Sequence, residues 1–139
     1  MKIVISGASG LIGTALAAHL TTKGHDVVRL VRRAANEGEL RWDPSKGELS
    51  AEALAGTDAV INLSGAGIGD RRWTPAYKQE LVDSRVRTTT LLAERIAECS
   101  QRPAVLLNGS AIGFYGATDD RILDETSPAG PGFLADLCV

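Results

Sequence analysis

The chain has little net charge and only two cysteines. Among its 139 residues, 15 are basic and 17 acidic, which gives a net charge of −2. This balance argues against a nucleic-acid partner and against binding to an anionic membrane surface. Cys99 and Cys138 show no metal or redox spacing, so we expect ordinary thiols in a reducing compartment and no metal site. His19 and His25 lie in no ligand-like cluster.

Long apolar runs are also absent. No stretch approaches the length of a membrane span, and the N-terminus enters a strand-like segment without the basic and apolar regions of a secretory signal. We therefore expect a cytoplasmic protein with no membrane partner. The length suits one domain and is short for a complete dinucleotide enzyme.

The most informative segment is a glycine-rich turn, Gly7-Ala8-Ser9-Gly10-Leu11-Ile12-Gly13. It follows the apolar run Ile3-Val4-Ile5 and leads into residues with helical spacing, and this strand–turn–helix order is typical of a phosphate cradle. Gly7 permits the tight turn, Gly10 lets the backbone approach a pyrophosphate, and Gly13 lets helix and strand pack closely. The alternative is a glycine turn without a ligand.

Strand-like and helix-like segments alternate along the chain, which predicts an α/β fold with a Rossmann-type doubly wound parallel sheet. Strands are predicted at 3–6, 27–31, 39–42, 59–63 and 104–108, and helices at 11–23, 50–54 and about 75–99. Thr74 and Pro75 supply the N-cap and first position of the long helix. A loop is predicted over about 110–131, followed by the first turns of another helix at 133–139.

Such a final helix normally leads to a sixth strand and a substrate-binding lobe. Residues 1–139 are therefore predicted to be a NAD(P)-binding Rossmann domain that is incomplete at its C-terminus, the N-terminal part of a longer polypeptide. A natural minimal domain is the alternative. The exposed sheet edge of an incomplete domain is compatible with a homodimer.

The residues after the second strand favour NADP over NAD. NAD-binding folds place an acidic residue there for the ribose hydroxyls, whereas this chain has Arg32 and Arg33. A guanidinium suits the 2′-phosphate of NADP, and the alternative is a solvated basic pair. The small residues of Asn62-Leu63-Ser64-Gly65-Ala66-Gly67, after the fourth strand, let the backbone lie against a nicotinamide ribose.

One basic residue of the long helix is predicted to face the sheet. Arg85 falls within an arc of largely apolar and small residues: Leu81, Thr88, Thr89, Leu92, Ile96 and Cys99. A charge in that position needs a partner, which a cofactor or a loop of the site supplies. The alternative is an arginine that reaches the surface or pairs with a carboxylate.

The sequence resembles the atypical extended short-chain dehydrogenases, in the group of epimerase-family and cell-division-inhibitor-like proteins. The resemblance covers essentially the whole chain and rests on these segments: 7–13, 58–65, 72–85, 110–116 and 124–128. It implies an NADP-binding Rossmann fold. It also implies these cofactor contacts: Gly7, Ser9, Gly10, Leu11, Ile12, Gly13, Arg32, Leu63, Ser64, Gly65, Glu80 and Arg85.

The catalytic pattern of that superfamily is not present in the chain. Its members use a tyrosine whose pKa is lowered by a lysine four residues later, because a free phenol titrates far above neutrality. Here Tyr77 is followed by Leu81 and Tyr115 by Asp119. Ser110 and Tyr115 are the local candidates for a substrate-orienting hydroxyl and a proton donor, and the alternative role of Tyr115 is a loop anchor.

Two functions remain open. The first is an NADP-dependent oxidoreductase or epimerase that acts on a small carbonyl or sugar-type substrate. The second is a cofactor-binding sensor or scaffold without turnover, which the missing tyrosine–lysine pair favours. A methyltransferase on the same fold is a weaker third candidate, because it requires an acidic residue where Arg32 stands. We expect the 139-residue chain alone to turn over no substrate.

Overall fold

The computed structural model describes residues 1–139 and contains one five-stranded sheet in which every neighbouring pair is parallel. The strands are β1 (Lys2–Ser6), β2 (Asp26–Val31), β3 (Glu39–Arg41), β4 (Ala59–Asn62) and β5 (Val105–Asn108). Their order is β3-β2-β1-β4-β5. The α/β doubly wound fold is thus confirmed. The chain reverses direction across the sheet between β3 and β4, so β1 lies at the topological switch point.

The helices also follow the predicted pattern. They are α1 (Leu11–Thr22), α2 (Ala51–Leu54), α3 (Pro75–Glu98) and α4 (Phe133–Cys138). The Thr74 hydroxyl accepts a hydrogen bond from the Tyr77 N–H at 3.2 Å, so the predicted N-cap of α3 is confirmed. Strand and helix ends differ from the predicted ones by one residue at most.

The loop predicted over about 110–131 contains one element that the prediction lacked, a 3₁₀ helix at Ile112–Tyr115. A single helical turn is too short to leave a periodic pattern in a sequence, so the composition of this segment predicts a loop. The loop prediction also missed how strongly this segment is tied back on itself. The Gly130 N–H donates to the Phe114 carbonyl at 2.8 Å.

The central strands are buried on both faces, as expected for parallel strands between helices: all of β4 and residues 3–6 of β1 are buried, whereas Val105 and Leu107 of the edge strand β5 are exposed. Alternate residues of β1 serve opposite faces: Val4 packs with Val60 and with Leu92 of α3, while Ile3 and Ile5 belong to the cluster that includes Ala17 of α1. The predicted inward arc of α3 agrees with the burial of Leu81, Thr88, Leu92 and Cys99. Leu91 is also buried, which the predicted arc did not include.

The chain divides into two compact units, Met1–Asn108 and Gly109–Val139. The first contains the whole sheet with α1, α2 and α3, and the second contains the 3₁₀ helix and α4. None of the helices combines the length and the apolar character needed to cross a membrane.

Candidate functional site

The turn between β1 and α1 is packed so closely that two of its glycines have no room for a side chain. Gly7 has a φ of +71°, and a Cβ there would lie 2.5 Å from the carbonyl oxygen of Leu63, directly after β4. A Cβ at Gly13 would lie 2.2 Å from the Gly7 carbonyl oxygen. Both distances are far below van der Waals contact, so these glycines let β1, α1 and the end of β4 meet.

The N-terminus of α1 has the properties of an anion site. Its N-cap is Gly10, no side chain caps the helix, and the first turn contains no acidic residue. The first N–H groups of a helix have no partner within it, and the helix dipole places partial positive charge at the same end. These features together fit a phosphate group.

A cleft of about 1180 Å³ lies in the first unit, along the carboxyl ends of the strands. Ligands of open α/β sheets bind in this position, at the switch point. Its lining includes eight of the predicted site residues: Gly7, Ser9, Gly10, Arg32, Leu63, Ser64, Gly65 and Glu80. Four others do not line it: Leu11, Ile12, Gly13 and Arg85.

The two arginines after β2 differ in their surroundings. Arg33 forms a two-pronged ion pair with Glu39, with Nη2–Oε1 and Nη1–Oε2 distances of 2.6 Å and 2.7 Å. Both arginines are exposed and line the cleft, but Arg32 has no ion pair within the chain. The two arginines therefore differ in availability: the Arg33 guanidinium is bound to Glu39, and the Arg32 guanidinium is free to bind an anion.

The Arg33–Glu39 pair makes stability depend on pH. Hydrogen bonds from Arg33 and from the Asn36 N–H lower the pKa of Glu39 from 4.5 to about 2. A depressed carboxylate pKa stabilises the folded state above the unfolded pKa, and that contribution is lost as pH falls from 4.5 to about 2.

We therefore expect Glu39→Gln to destabilise the chain at pH 6 and to approach the wild type as pH falls through about 2. Urea unfolding of both proteins across that range measures the difference. Arg33→Ala removes the basic partner of the same ion pair. Its free energy of unfolding is also expected to approach that of the wild type at low pH. A constant gap between wild type and Glu39→Gln at every pH would contradict this assignment.

Arg85 lies beside the chain that follows β4. Its Nη1 donates to the carbonyl of Ala66 at 3.0 Å and to that of Leu81 at 3.2 Å. The sequence leaves a cofactor, a loop of the site or a carboxylate as the partner of this half-buried charge. In the structure the partner is a loop of the site. Glu80 pairs instead with Arg71, at 3.3 Å. A direct contact of Arg85 or Glu80 with a cofactor stays a prediction.

A polar ladder crosses three strands at the carboxyl edge of the sheet, buried at Ser6 and Asn62 and exposed at Asn108. Ser6, Asn62 and Asn108 stand opposite one another on β1, β4 and β5. The Ser6 hydroxyl donates to Asn62 Oδ1 at 2.6 Å, and Asn62 Nδ2 donates to Asn108 Oδ1 at 2.7 Å. Asn62 Oδ1 also accepts the Ser64 N–H at 3.2 Å, so the ladder anchors a residue that lines the cleft.

Replacing Asn62 by leucine is expected to lower the free energy of unfolding by about 2–4 kcal/mol. Leucine has the same number of side-chain heavy atoms but is bulkier and accepts no hydrogen bond, so the fully buried Ser6 hydroxyl and the Ser64 N–H lose their acceptor. Chemical denaturation measures the loss. The half-buried Thr89 offers a comparison at the edge of the ladder, because its hydroxyl donates to Asn108 Oδ1 at 3.0 Å and accepts from Asn62 Nδ2 at 3.2 Å. Thr89→Val leaves the Ser6 and Ser64 bonds to Asn62 in place and is expected to cost about 1 kcal/mol or less. Equal costs in the two variants would contradict the ladder's role.

Sequence reasoning missed several residues of the cleft wall. Trp42, Asp43 and Ser45 line it, although the sequence indicated only a strand end and a turn there. The Ser45 hydroxyl and N–H donate to the Asp43 carboxylate, which lowers the pKa of Asp43. The position of these three residues directly after β3 could have indicated a place in the site, because the carboxyl ends of parallel strands share one edge of the sheet. Tyr77, at the start of α3, also lines the cleft and carried no such signal.

Both predicted catalytic residues, Ser110 and Tyr115, belong to the second unit. Ser110 is exposed in the segment before the 3₁₀ helix. The Tyr115 hydroxyl donates to the Asp124 carbonyl at 3.1 Å, and its ring meets that of Phe114 edge-on with centroids 5.1 Å apart. This geometry agrees with the loop-anchor alternative for Tyr115. The catalytic roles stay predictions.

A family model for the NAD dependent epimerase/dehydratase family matches residues 3–133. The chain belongs to this family. Membership agrees with the parallel sheet and the glycine turn, and it makes the protein a NAD(P)-binding, Rossmann-like member of the short-chain dehydrogenase superfamily.

Sequence relatives of this family member occur in bacteria and in animals. An epimerase family protein of Mycobacterium bovis, Mb2239, is 51% identical over 138 residues, which cover 99% of this chain and 45% of that protein. The human epimerase family protein SDR39U1 is 36% identical over 132 residues, covering 94% of this chain and 43% of that protein. The chain thus spans less than half the length of these curated relatives.

Solved structures of relatives share the fold. The crystal structure of human SDR39U1 (isoform 2) with NADPH has a TM-score of 0.87 at 32% identity and covers 99% of this chain and 46% of that one. A nucleoside-diphosphate sugar epimerase from Corynebacterium glutamicum has a TM-score of 0.84 at 38% identity, with coverages of 99% and 28%.

Proposed function

We propose that this family member binds NADP(H) in the cleft of the Met1–Asn108 unit. The observation that carries the proposal is Arg32, an unpaired guanidinium at the end of β2 where NAD-binding folds place a carboxylate. Glu39, an acidic residue that also lines the cleft, is engaged with Arg33. The NADPH in the structure of human SDR39U1 supports the same choice of cofactor.

The residues of the cleft fit such a dinucleotide. The uncapped N-terminus of α1 would hold the pyrophosphate through backbone N–H groups. The absence of side chains at Gly7 and Gly13 lets β1, α1 and the end of β4 pack closely around this turn. Arg32 would bind the 2′-phosphate. Leu63, Ser64 and Gly65 would lie along the nicotinamide ribose at the other end of the cleft.

We further propose that the protein acts as an oxidoreductase or epimerase on a small carbonyl or sugar-type substrate. The bound nicotinamide supplies hydride transfer at its C4 position. The chain would orient the substrate oxygen through the Ser110 hydroxyl and exchange a proton at the Tyr115 hydroxyl. For that exchange Tyr115 would have to release its bond to the Asp124 carbonyl.

Calorimetric titration with NADPH and, separately, NADH tests the binding proposal. We expect NADPH to bind more tightly than NADH, because only NADPH carries the phosphate that Arg32 would neutralise. Equal affinities would overturn the choice of NADP. Failure to bind either dinucleotide would overturn the site.

Binding without turnover is the second candidate function. The bond from the Tyr115 hydroxyl to Asp124 favours it, because this bond occupies the proton of the candidate donor. NADPH oxidation, followed by absorbance with a panel of aldehydes and ketones, separates the two candidates. The assay uses a protein of the length of the curated relatives, because the 139-residue chain alone is expected to be inactive. Oxidation that depends on a carbonyl substrate supports the enzyme, and tight binding without oxidation in that longer protein supports the sensor or scaffold.

A further inference from the structure

Three successive carbonyl oxygens of the β4–α3 loop, residues 63–74, accept hydrogen bonds from side chains at the end of this loop and in α3. The donors are Arg85 Nη1 to Ala66 at 3.0 Å, the Tyr77 hydroxyl to Gly67 at 2.5 Å and Trp73 Nε1 to Ile68 at 2.7 Å. The loop therefore depends on α3 for its conformation as well as on the strand that precedes it.

Ala66 is held at both of its backbone groups. Its N–H donates to the Ser84 hydroxyl oxygen at 2.9 Å, and its carbonyl accepts from Arg85. Ser84 and Arg85 are in turn both bonded to the Leu81 carbonyl, at 3.1 Å and 3.2 Å. Two adjacent side chains of α3 thus form one clamp on one loop residue.

The guanidinium of Arg85 also lies directly against the loop backbone. A Cβ at Gly65 would come within 3.0 Å of Arg85 Cζ and 3.2 Å of Nη1. Gly65, Ala66 and Ser84 line the cleft, whereas Arg85 does not. The positive charge is therefore next to two lining residues without itself forming the wall.

This arrangement matters for an anionic ligand. Free carbonyl oxygens carry partial negative charge and would repel phosphates in the cleft. Hydrogen bonds satisfy them, and a charged donor such as arginine does so more strongly than a neutral one. Fixed dipoles that need no rearrangement also make binding less costly.

We propose that Arg85, together with Ser84, is a positioning residue that shapes the β4–α3 loop for the nicotinamide half of the cofactor. The inference rests on the proposed function and deepens it, since it assigns to Arg85 an action through Ala66 and Gly65 instead of a direct cofactor contact.

The test compares two ligands in three variants of the whole chain. NADPH spans the cleft, while adenosine 2′,5′-bisphosphate carries only the half that Arg32 would bind. Arg85→Ala and Ser84→Ala are each expected to raise the Kd of NADPH about tenfold, the size of one lost hydrogen bond. The Kd of adenosine 2′,5′-bisphosphate is expected to stay within about twofold of the wild type.

Arg102→Ala is the matched control, because Arg102 also donates to a backbone carbonyl, that of Ala97 at 2.7 Å, but does not line the cleft. It should change neither affinity. Unchanged NADPH affinity in both clamp variants would overturn the inference. So would a loss in Arg85→Ala alone with Ser84→Ala unaffected, which would mean that Arg85 touches the cofactor.

Other results locate the failure elsewhere. A wild-type chain that binds neither ligand would overturn the proposed function and the inference with it. A wild-type chain that binds both, with no change in either clamp variant, would overturn the inference alone. If Arg85→Ala lost both ligands through unfolding, Arg85→Lys would decide the matter, because Ser84 lines the cleft and lysine keeps a charged donor for the Ala66 carbonyl. Its NADPH affinity is expected to stay within about threefold of the wild type, and a loss of about tenfold in this folded variant would overturn the inference.

Discussion

Replacing Arg32 by alanine is expected to weaken NADPH binding roughly 10- to 100-fold and to leave NADH binding unchanged. A hydrogen bond to a charged group contributes about 1.5–3 kcal/mol, and only NADPH presents the 2′-phosphate that the free Arg32 guanidinium would meet. Calorimetric titration of the wild type and the variant with both dinucleotides measures the two effects. Because the loss is confined to one ligand, it cannot be confused with damage to the fold.

Arg33→Ala is the matched control for that experiment. This variant removes an arginine side chain at the neighbouring position. The guanidinium that it removes is already paired with Glu39. We expect the NADPH affinity of this variant to stay within about threefold of the wild type. Equal losses in Arg32→Ala and Arg33→Ala would mean that the two arginines bind the phosphate together.

Gly13→Ala is expected to destabilise the folded chain by about 3 kcal/mol or more. The added methyl would lie 2.2 Å from the Gly7 carbonyl oxygen and 2.7 Å from the Ala8 Cα, both of them backbone atoms that cannot rotate away. Either α1 would move off β1 or the turn would open. Guanidinium denaturation, followed by circular dichroism, measures the change.

Gly10→Ala provides the comparison within the same turn. Gly10 has a φ of −74°, which any residue adopts, and the nearest atom to an added Cβ is 3.4 Å away. We expect a cost of about 1 kcal/mol or less, mostly from a poorer N-cap. If Gly13→Ala were as mild as Gly10→Ala, the close packing of α1 on β1 would be contradicted.

Local patterns were sufficient to predict most of the fold. The apolar runs of β1 and β4 and the Thr74-Pro75 start of α3 are encoded within a few residues, so their bounds agree closely with the structure. The 3₁₀ helix at Ile112–Tyr115 is too short for a periodic signal.

The site was predictable only where motif and position coincide. The glycine turn and the segment after β4 follow strands and line the cleft as a parallel sheet requires. Which of Arg32 and Arg33 is free depends on Glu39, a residue of another strand, and no local pattern indicates that pairing. The same holds for the bond between Arg85 and Ala66, which are 19 positions apart in the chain.

The polar ladder at the edge of the sheet has a consequence for how the strands find their alignment. A slip of β4 by one residue along β1 would place Asn62 opposite Ile5 or Gly7 instead of Ser6. Every side chain of β4 would then change faces, and the buried amide would lie among apolar groups without its partners. Parallel strands of valine and isoleucine have little to distinguish one alignment from the next. Three polar residues on one rung supply that distinction, so the ladder selects a single pairing during folding.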